Sequence, residues 1–241
     1  MIPSGGPSSQ DISRIVERQM RNWELARAQQ YHPTTPQPAD HVSDFITVSR
    51  MVGAGGTDIA CAIGERLGWP VFDREILQVM AGDDAVRAKL YERMSAADMS
   101  WVEETLRWLL QGETERKDYF RRLSETVLAL ARQGPAVFLG RGADLLLPRG
   151  QGLRLRIVAS VEHCGRNYAL RYSLTPALGM AEVERIQSQR REYISRHYHT
   201  QPTDPGRFDL VLNAERLGVS GTVELALTAA RIRGLHGLPD H

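Results

Sequence analysis

The chain has 241 residues and a mass of 27.0 kDa, with 30 Lys+Arg against 29 Asp+Glu and a formal net charge of +1. That balance excludes a global basic field for nucleic acid or anionic membrane, and 42% hydrophobic with 24% charged residues excludes disorder throughout. The length suits one large or two modest domains.

Only Lys89 and Lys117 are lysines, so 28 of the 30 cations are arginine. The bias reads either as codon composition or as a supply of planar guanidiniums for phosphate groups. No stretch approaches the roughly 20 apolar residues of a membrane span, and the start MIPSGGPSSQD lacks the basic and apolar regions of a secretory signal. A cytoplasmic protein without membrane partners is expected. Cys61 and Cys164 stand in neither a CxxC nor a Cys/His metal spacing and are expected to be small buried thiols.

Along the chain, residues 1–10 are rich in Ser, Gly and Pro, after which Ile12, Ile15, Val16, Met20 and Trp23 recur at helical spacing. One amphipathic helix over about 11–30 is predicted, followed by a linker stiffened by Pro33, Pro36 and Pro38. The helix can dock on its own domain, on a second subunit or on a partner. Self-docking or a homodimer is expected over membrane or nucleic acid, because Glu17 and Glu24 dilute its basic face.

From residue 45, short apolar runs alternate with helical stretches. The runs are Phe45–Ser49, Trp69–Phe72, Ala136–Gly140, Leu155–Ala159 and Leu210–Asn213. Between them a 3.6-residue period appears in Ile59, Ile63 and Leu67, then Leu123, Val127, Leu128 and Ala131, then Val183, Ile186 and Ile194, and last Val223, Leu227 and Ile232. Strands alternating with helices predict a parallel sheet covered on both faces. Residues 74–118 offer no strand and read as a helical insert, in which Trp101 and Trp108 share a helix face suited to a core.

The first strand runs into Arg50-Met51-Val52-Gly53-Ala54-Gly55-Gly56-Thr57 and then a helix beginning Asp58-Ile59-Ala60. A strand, a glycine-rich turn and a helix N-terminus converge backbone N–H groups on one point, which makes an anion site. Thr57 is placed to offer a hydroxyl to Mg²⁺. Against the pattern GxxxxGK[ST] the loop departs twice: Arg50 stands at the first glycine and Gly56 at the lysine. From these residues alone, a tight turn without ligand remains the alternative.

The stretch Ile46 to Ala60, followed by Leu67-Gly68-Trp69-Pro70-Val71-Phe72-Asp73-Arg74-Glu75-Ile76-Leu77, resembles the cytidylate kinase-like family. Gly140-Arg141-Gly142-Ala143-Asp144 resembles its GRGAD segment, and Phe208-Asp209-Leu210-Val211-Leu212-Asn213 its YDLviN segment. The resemblance covers about 45–233. It implies an α/β fold: a P-loop nucleoside-monophosphate-kinase-like three-layer sandwich with a five-stranded parallel sheet, a helical insert (74–118) and a lid (160–198). The predicted layout is an N-terminal extension over 1–40, a P-loop domain over 41–234 and a tail over 235–241.

The resemblance further implies ATP and Mg²⁺ as cofactors and nucleotide substrates as partners. Gly53, Ala54, Gly55, Gly56 and Thr57 would cradle the donor phosphates, with Thr57 ligating the metal. Arg50 is the nearest candidate for the missing lysine's charge. Asp73, Arg74, Arg141 and Asp144 are the candidate acceptor-binding residues, Asp144 replacing an Asp of the related GRD segment that is Gly142 here. An ion pair closing a helix start is the alternative for Asp73 and Arg74. Catalysis is assigned to Arg50, Arg141, Arg166 and Arg190, the last in a D-x-x-R-x-x-Y segment whose Asp is Gln187. His197 and His199 read as surface residues rather than metal ligands.

Three functions are carried forward: Mg²⁺-dependent phosphoryl transfer from ATP to a nucleoside monophosphate (CMP-like) or related small phosphate acceptor; a nucleotide-binding regulator that kept the fold and lost catalysis; and a scaffold acting through the N-terminal helix.

Overall fold

A computed structural model describes residues 42–92, 94–110 and 118–235. The predicted N-terminal helix, its proline linker and the tail from 236 lie outside the described residues, as does the side chain of Trp108. Five strands form one parallel sheet: β1 (Phe45–Arg50), β2 (Val71–Phe72), β3 (Ala136–Leu139), β4 (Leu153–Val158) and β5 (Leu210–Asn213), in the order β2-β3-β1-β4-β5. The α/β P-loop kinase-like fold expected from the sequence is therefore present.

Contacts divide the chain into two compact units. The helical unit takes in residues 72–136 and holds α2 (Arg74–Gly82), α3 (Asp84–Tyr91), α4 (Ala96–Leu109) and α5 (Asp118–Gln133). Its centre is α5, which buries Leu123, Val127, Leu128 and Ala131 and packs against the other three helices. Glu125, nearly buried on α5, accepts from Arg87, Arg121 and Tyr91, so its charge is compensated where it leaves water. The segment 74–118 contains helices and no strand among its described residues.

The second unit takes in 44–71 and 137 onward. It holds α1 (Gly56–Leu67), a short α6 (Ala143–Leu146), α7 (Val161–Tyr172), α8 (Pro176–Tyr198) and α9 (Ala214–Ile232). Side chains alternate across a strand, so each strand presents two faces. On one face of β1 and β4, Ile46, Val48, Leu153, Leu155 and Ile157 join Ile59, Ile63 and Leu67 of α1 and Val223, Ala226 and Leu227 of α9 in an apolar core. On the other face the register pairs Thr47 with Arg154 and Ser49 with Arg156.

Arg154 is 5% exposed, and its guanidinium donates to five carbonyls, those of Asp144, Leu147, Pro148, Arg149 and Gln151. These dipoles replace the water that burial removed, while its stem and head lie over the Phe45 ring. Asp209 closes the edge: its carboxylate accepts from the Arg154 N–H at 2.7 Å and its own N–H donates to the Arg154 carbonyl at 2.8 Å. Four residues later Asn213 caps α9, accepting from the N–H groups of Glu215 and Arg216. The Phe208–Asn213 segment thus fixes strand register and starts a helix.

Cys164 is buried as expected, and burial pushes its thiol up to about 11. Cys61 is exposed, which corrects the expectation for it: it falls on the solvent side of α1. No helix among the described residues is long and apolar enough to cross a membrane.

Candidate active site

The loop between β1 and α1 is held open by close backbone packing. Gly53 has φ +79°, and a Cβ there would lie 2.3 Å from the Cys164 carbonyl of α7, so both its conformation and its neighbour demand glycine. No side chain caps the start of α1, where Gly55 adopts a left-handed conformation. The first-turn N–H groups of Gly56, Thr57 and Asp58 precede the first intrahelical bond and converge where the helix dipole favours an anion. These residues fit a phosphate cradle, and the half-buried Thr57 adds a hydroxyl at the same turn.

The Arg50 side chain crosses the space beside Gly56. A Cβ on Gly56 would meet the Arg50 Cβ at 2.6 Å and Cγ at 2.7 Å, so the Arg50 stem runs through the space a side chain at position 56 would use. Its guanidinium continues to Gly140, where a Cβ would come within 2.0 Å of Nη1. The arginine enters from the strand end and passes the first helix position, which carries no side chain.

The lid segment supplies the surrounding contacts through one face of α8. Gln187, Arg190 and Tyr193 recur every three residues and so line up along the helix. The Val52 N–H donates to Gln187 Oε1 at 3.4 Å, Arg190 Nη1 donates to the Arg50 carbonyl at 3.1 Å, and the Arg141 guanidinium lies 5.6 Å from the Tyr193 ring centre. Gln187 therefore still offers an oxygen to the loop backbone, although the family motif carries Asp there. Tyr198 donates to the Arg141 carbonyl at 2.9 Å, and burial pushes its phenol well above the usual range. Arg141 itself has φ +57°, an unfavourable conformation for a side-chain-bearing residue. Arg50, Arg141 and Arg190 are thus tied to one another's segments.

From α7, Asn167 donates to the Gly53 carbonyl at 3.0 Å and contacts His163 at 2.8 Å. Arg166 is exposed beside them, and its charge acts on Glu215, whose carboxylate is held low chiefly by its hydrogen bond from Ser160. Arg166 is not drawn to the loop with the other three arginines.

Two sequence-predicted residues have structural duties. Asp73 Oδ1 accepts from the N–H groups of Glu75 and Ile76 and caps α2; Arg74, next to it, is exposed. Asp144 is paired with Arg207, both nearly fully buried, so its carboxylate is committed within the protein. Arg207 was invisible to motif reading because it lies alone in the turn Pro205–Arg207, 63 residues from its partner. A cavity of about 90 Å³ beside this pair, lined by Asp144, Arg149, Arg154, Arg207 and Asp209, is well below the roughly 300 Å³ at which ligand pockets begin. His197 lies 4.6 Å from the Tyr193 ring and tilted against it, and His199 ends α8 in the open; no group of three His, Cys, Asp or Glu gathers among the described residues.

The cytidylate kinase-like family profile matches residues 45–216. The chain belongs to the cytidylate kinase-like family. Among solved structures, an uncharacterized protein from Eubacterium ventriosum is similar at 16% identity and a TM-score of 0.65, over 79% of this chain and 99% of that one. A shikimate kinase from Bacteroides thetaiotaomicron aligns at 14% identity and 0.44 (78% and 98%), and a gluconokinase from Sinorhizobium meliloti at 16% and 0.38 (80% and 98%). No curated protein matches the chain significantly. Membership of this kinase-like family supports phosphoryl transfer in general terms and names no acceptor base.

Proposed function

We propose that this cytidylate kinase-like protein transfers the γ-phosphoryl group of ATP, with Mg²⁺, to a nucleoside monophosphate or a related small phosphate acceptor, CMP being the first to try. The observation that carries the reading is the exchange at the loop, where Arg50 occupies the space that Gly56 leaves. A lysine lost by decay would leave a gap. Here the Arg50 stem fills it and carries a guanidinium on to Gly140; a guanidinium stays charged at any working pH and binds phosphate oxygens through two parallel N–H groups.

Phosphoryl transfer asks mainly for positioning and charge neutralisation. In this reading the amides of Gly53 to Thr57 hold the donor phosphates, and Arg50 takes the charge that develops on the transferring group. Arg141 and Arg190 complete the cationic rim, their positions fixed by Tyr193, Tyr198 and the Arg50 carbonyl. Mg²⁺ supplies neutralisation of the phosphate oxygens, and Thr57 is the residue that would hold it. Arg166 would enter only on lid movement.

A coupled assay with ATP, Mg²⁺ and the common nucleoside monophosphates tests this. Turnover with at least one acceptor is expected, with a preference between bases read from kcat/KM. ATP binding without turnover on any acceptor would replace the enzyme with the nucleotide-binding regulator.

A further inference from the structure

The Gly53 peptide is held from α7 on two sides. The Cys164 carbonyl stands so close that a Cβ on Gly53 would lie 2.3 Å from it, and the Asn167 side chain donates to the Gly53 carbonyl at 3.0 Å. A peptide group is planar, so the direction of that carbonyl sets the direction of the Ala54 N–H, which closes the turn on the Met51 carbonyl at 3.4 Å. One side-chain amide on the lid segment therefore fixes a peptide inside the loop that starts α1.

The same Asn167 nitrogen lies 2.8 Å from His163 Nε2, one turn back along α7. Two oxygens would not meet at 3.0 Å, so the Gly53 carbonyl decides which end of the Asn167 amide is nitrogen. Nδ2 has two hydrogens and accepts none, so one goes to Gly53 and the other to His163, whose Nε2 must be the bare, accepting nitrogen. The imidazole proton is then on Nδ1, 3.8 Å from Glu215 Oε1 at the start of α9. The His163 side chain is 28% exposed, and a second proton, taken from water at Nε2, would point an N–H at an N–H. Turning the amide over would satisfy the imidazolium and set Asn167 Oδ1 against the Gly53 oxygen. A charged His163 and the Gly53 carbonyl require opposite ends of one amide.

Charged groups reach this pair from each neighbouring element. From α9, the Glu215 carboxylate, held low chiefly by hydrogen bonding from Ser160, favours a proton on the ring. Arg166, on α7 itself, acts on Glu215. From α8, Glu182 and Arg185 pair with each other beside Tyr168. The loop presents the Gly53 peptide.

We propose that Asn167 is a positioning residue for the donor cradle, holding the Gly53 peptide in its binding shape, and that this hold requires His163 to be neutral. This rests on the phosphotransferase reading above and adds to it a loop that loosens in acid.

Two measurements on the full chain test it. Nitrogen-15 NMR of the nucleotide-free protein should show His163 as the Nδ1–H tautomer at about pH 8. The Gly53 and Ala54 amide resonances should then move with the same midpoint as its ring between about pH 8 and about pH 5. In Asn167→Leu the ring should still titrate, and the two amides should no longer follow it. The second measurement is binding of Mg²⁺ with a non-hydrolysable ATP analogue over the same range. Asn167→Leu should weaken affinity about tenfold at about pH 8, the scale of one lost hydrogen bond in a loop that must keep its shape. The His163→Gln side chain can accept from Asn167 without titrating. The ratio of wild-type affinity to that of His163→Gln should therefore fall about threefold or more from about pH 8 to about pH 5.5, the analogue's own phosphate titration being common to both. An Nε2–H tautomer, amides that ignore the ring, or an affinity ratio constant with pH would overturn the proposal and leave Asn167 and His163 an ordinary pair one helical turn apart. If wild type binds no nucleotide, the donor reading falls, and the resonances still decide whether Asn167 and His163 hold the loop.

Discussion

On one face of the β1–β4 pair, Ile46, Val48, Leu153, Leu155 and Ile157 sit in a core that excludes water; on the other, Arg154 and Arg156 stand beside Thr47 and Ser49. The first face obeys the ordinary rule for parallel strands, and the second departs from it. Its charges are tolerated because each is held locally, Arg154 by a ring of carbonyls, Arg156 by Ser49 and Phe208, and Arg207 by Asp144. Apolar burial needs only neighbours of the right volume, whereas buried guanidiniums need particular partners at particular angles. The polar face should therefore be the more brittle of the two.

Removing one partner of its ion pair gives the sharpest contrast. Asp144→Asn is expected to cost about 3–5 kcal/mol in denaturant unfolding, because Arg207 stays buried without its counter-charge. Replacing both, Asp144→Leu with Arg207→Met, should recover most of that loss. If Asp144→Asn unfolds like wild type, the pair contributes no more than an exposed bridge and the contrast between faces fails. On the apolar face, Leu155→Ala should cost roughly 3 kcal/mol through lost burial and the cavity left behind. Its partial recovery by Leu155→Met would show that volume, not geometry, is what this face requires.

At the end of β5, Asn213→Ala should cost about 1 kcal/mol, the ordinary value of a helix cap, and Asn213→Asp should retain most of it. A larger loss would mean that Asn213 acts on the site as well as on α9. The smallest effect concerns Cys164. Its folded thiol, raised to about 11, stays neutral while the unfolded chain ionises near 9, so its contribution is complete below pH 9 and lost as pH rises toward 11. The stability difference between wild type and Cys164→Ala should shrink over that window, and a constant difference would contradict the shift.

Much of this was legible in the residues. The runs at 45–49 and 210–213 mark β1 and β5 as short apolar stretches between turns, β1 largely buried and β5 half-exposed at the sheet edge. For β4 the sequence points to 155–159, but the strand begins at Leu153. Arg154 interrupts the apolar run, and nothing local shows that loop carbonyls will neutralise it. The same limit applies to the site. The Gly53–Thr57 turn was readable because it is contiguous with the helix start, and Arg50's place because it adjoins them. Asn167 and Arg207 were not, since their significance lies in what they meet across 114 and 63 residues. Gln187, read as a departure from the family motif, turned out to face the Val52 N–H.

The central claim is that Arg50 does the work of the absent lysine from the space Gly56 vacates. Single-turnover transfer of the ATP γ-phosphoryl group, measured in Arg50→Ala and in the exchanged variant Arg50→Gly with Gly56→Lys, tests it most directly. Arg50→Ala is expected to lose roughly 10²–10³-fold in rate with an unchanged unfolding midpoint, the scale of removing one preorganised charge-stabilising donor. The exchanged variant should regain at least about a tenth of the wild-type rate, because a lysine then enters where the arginine stem had been. An Arg50→Ala rate equal to wild type would contradict the account and return Arg50 to packing against Gly56 and Gly140.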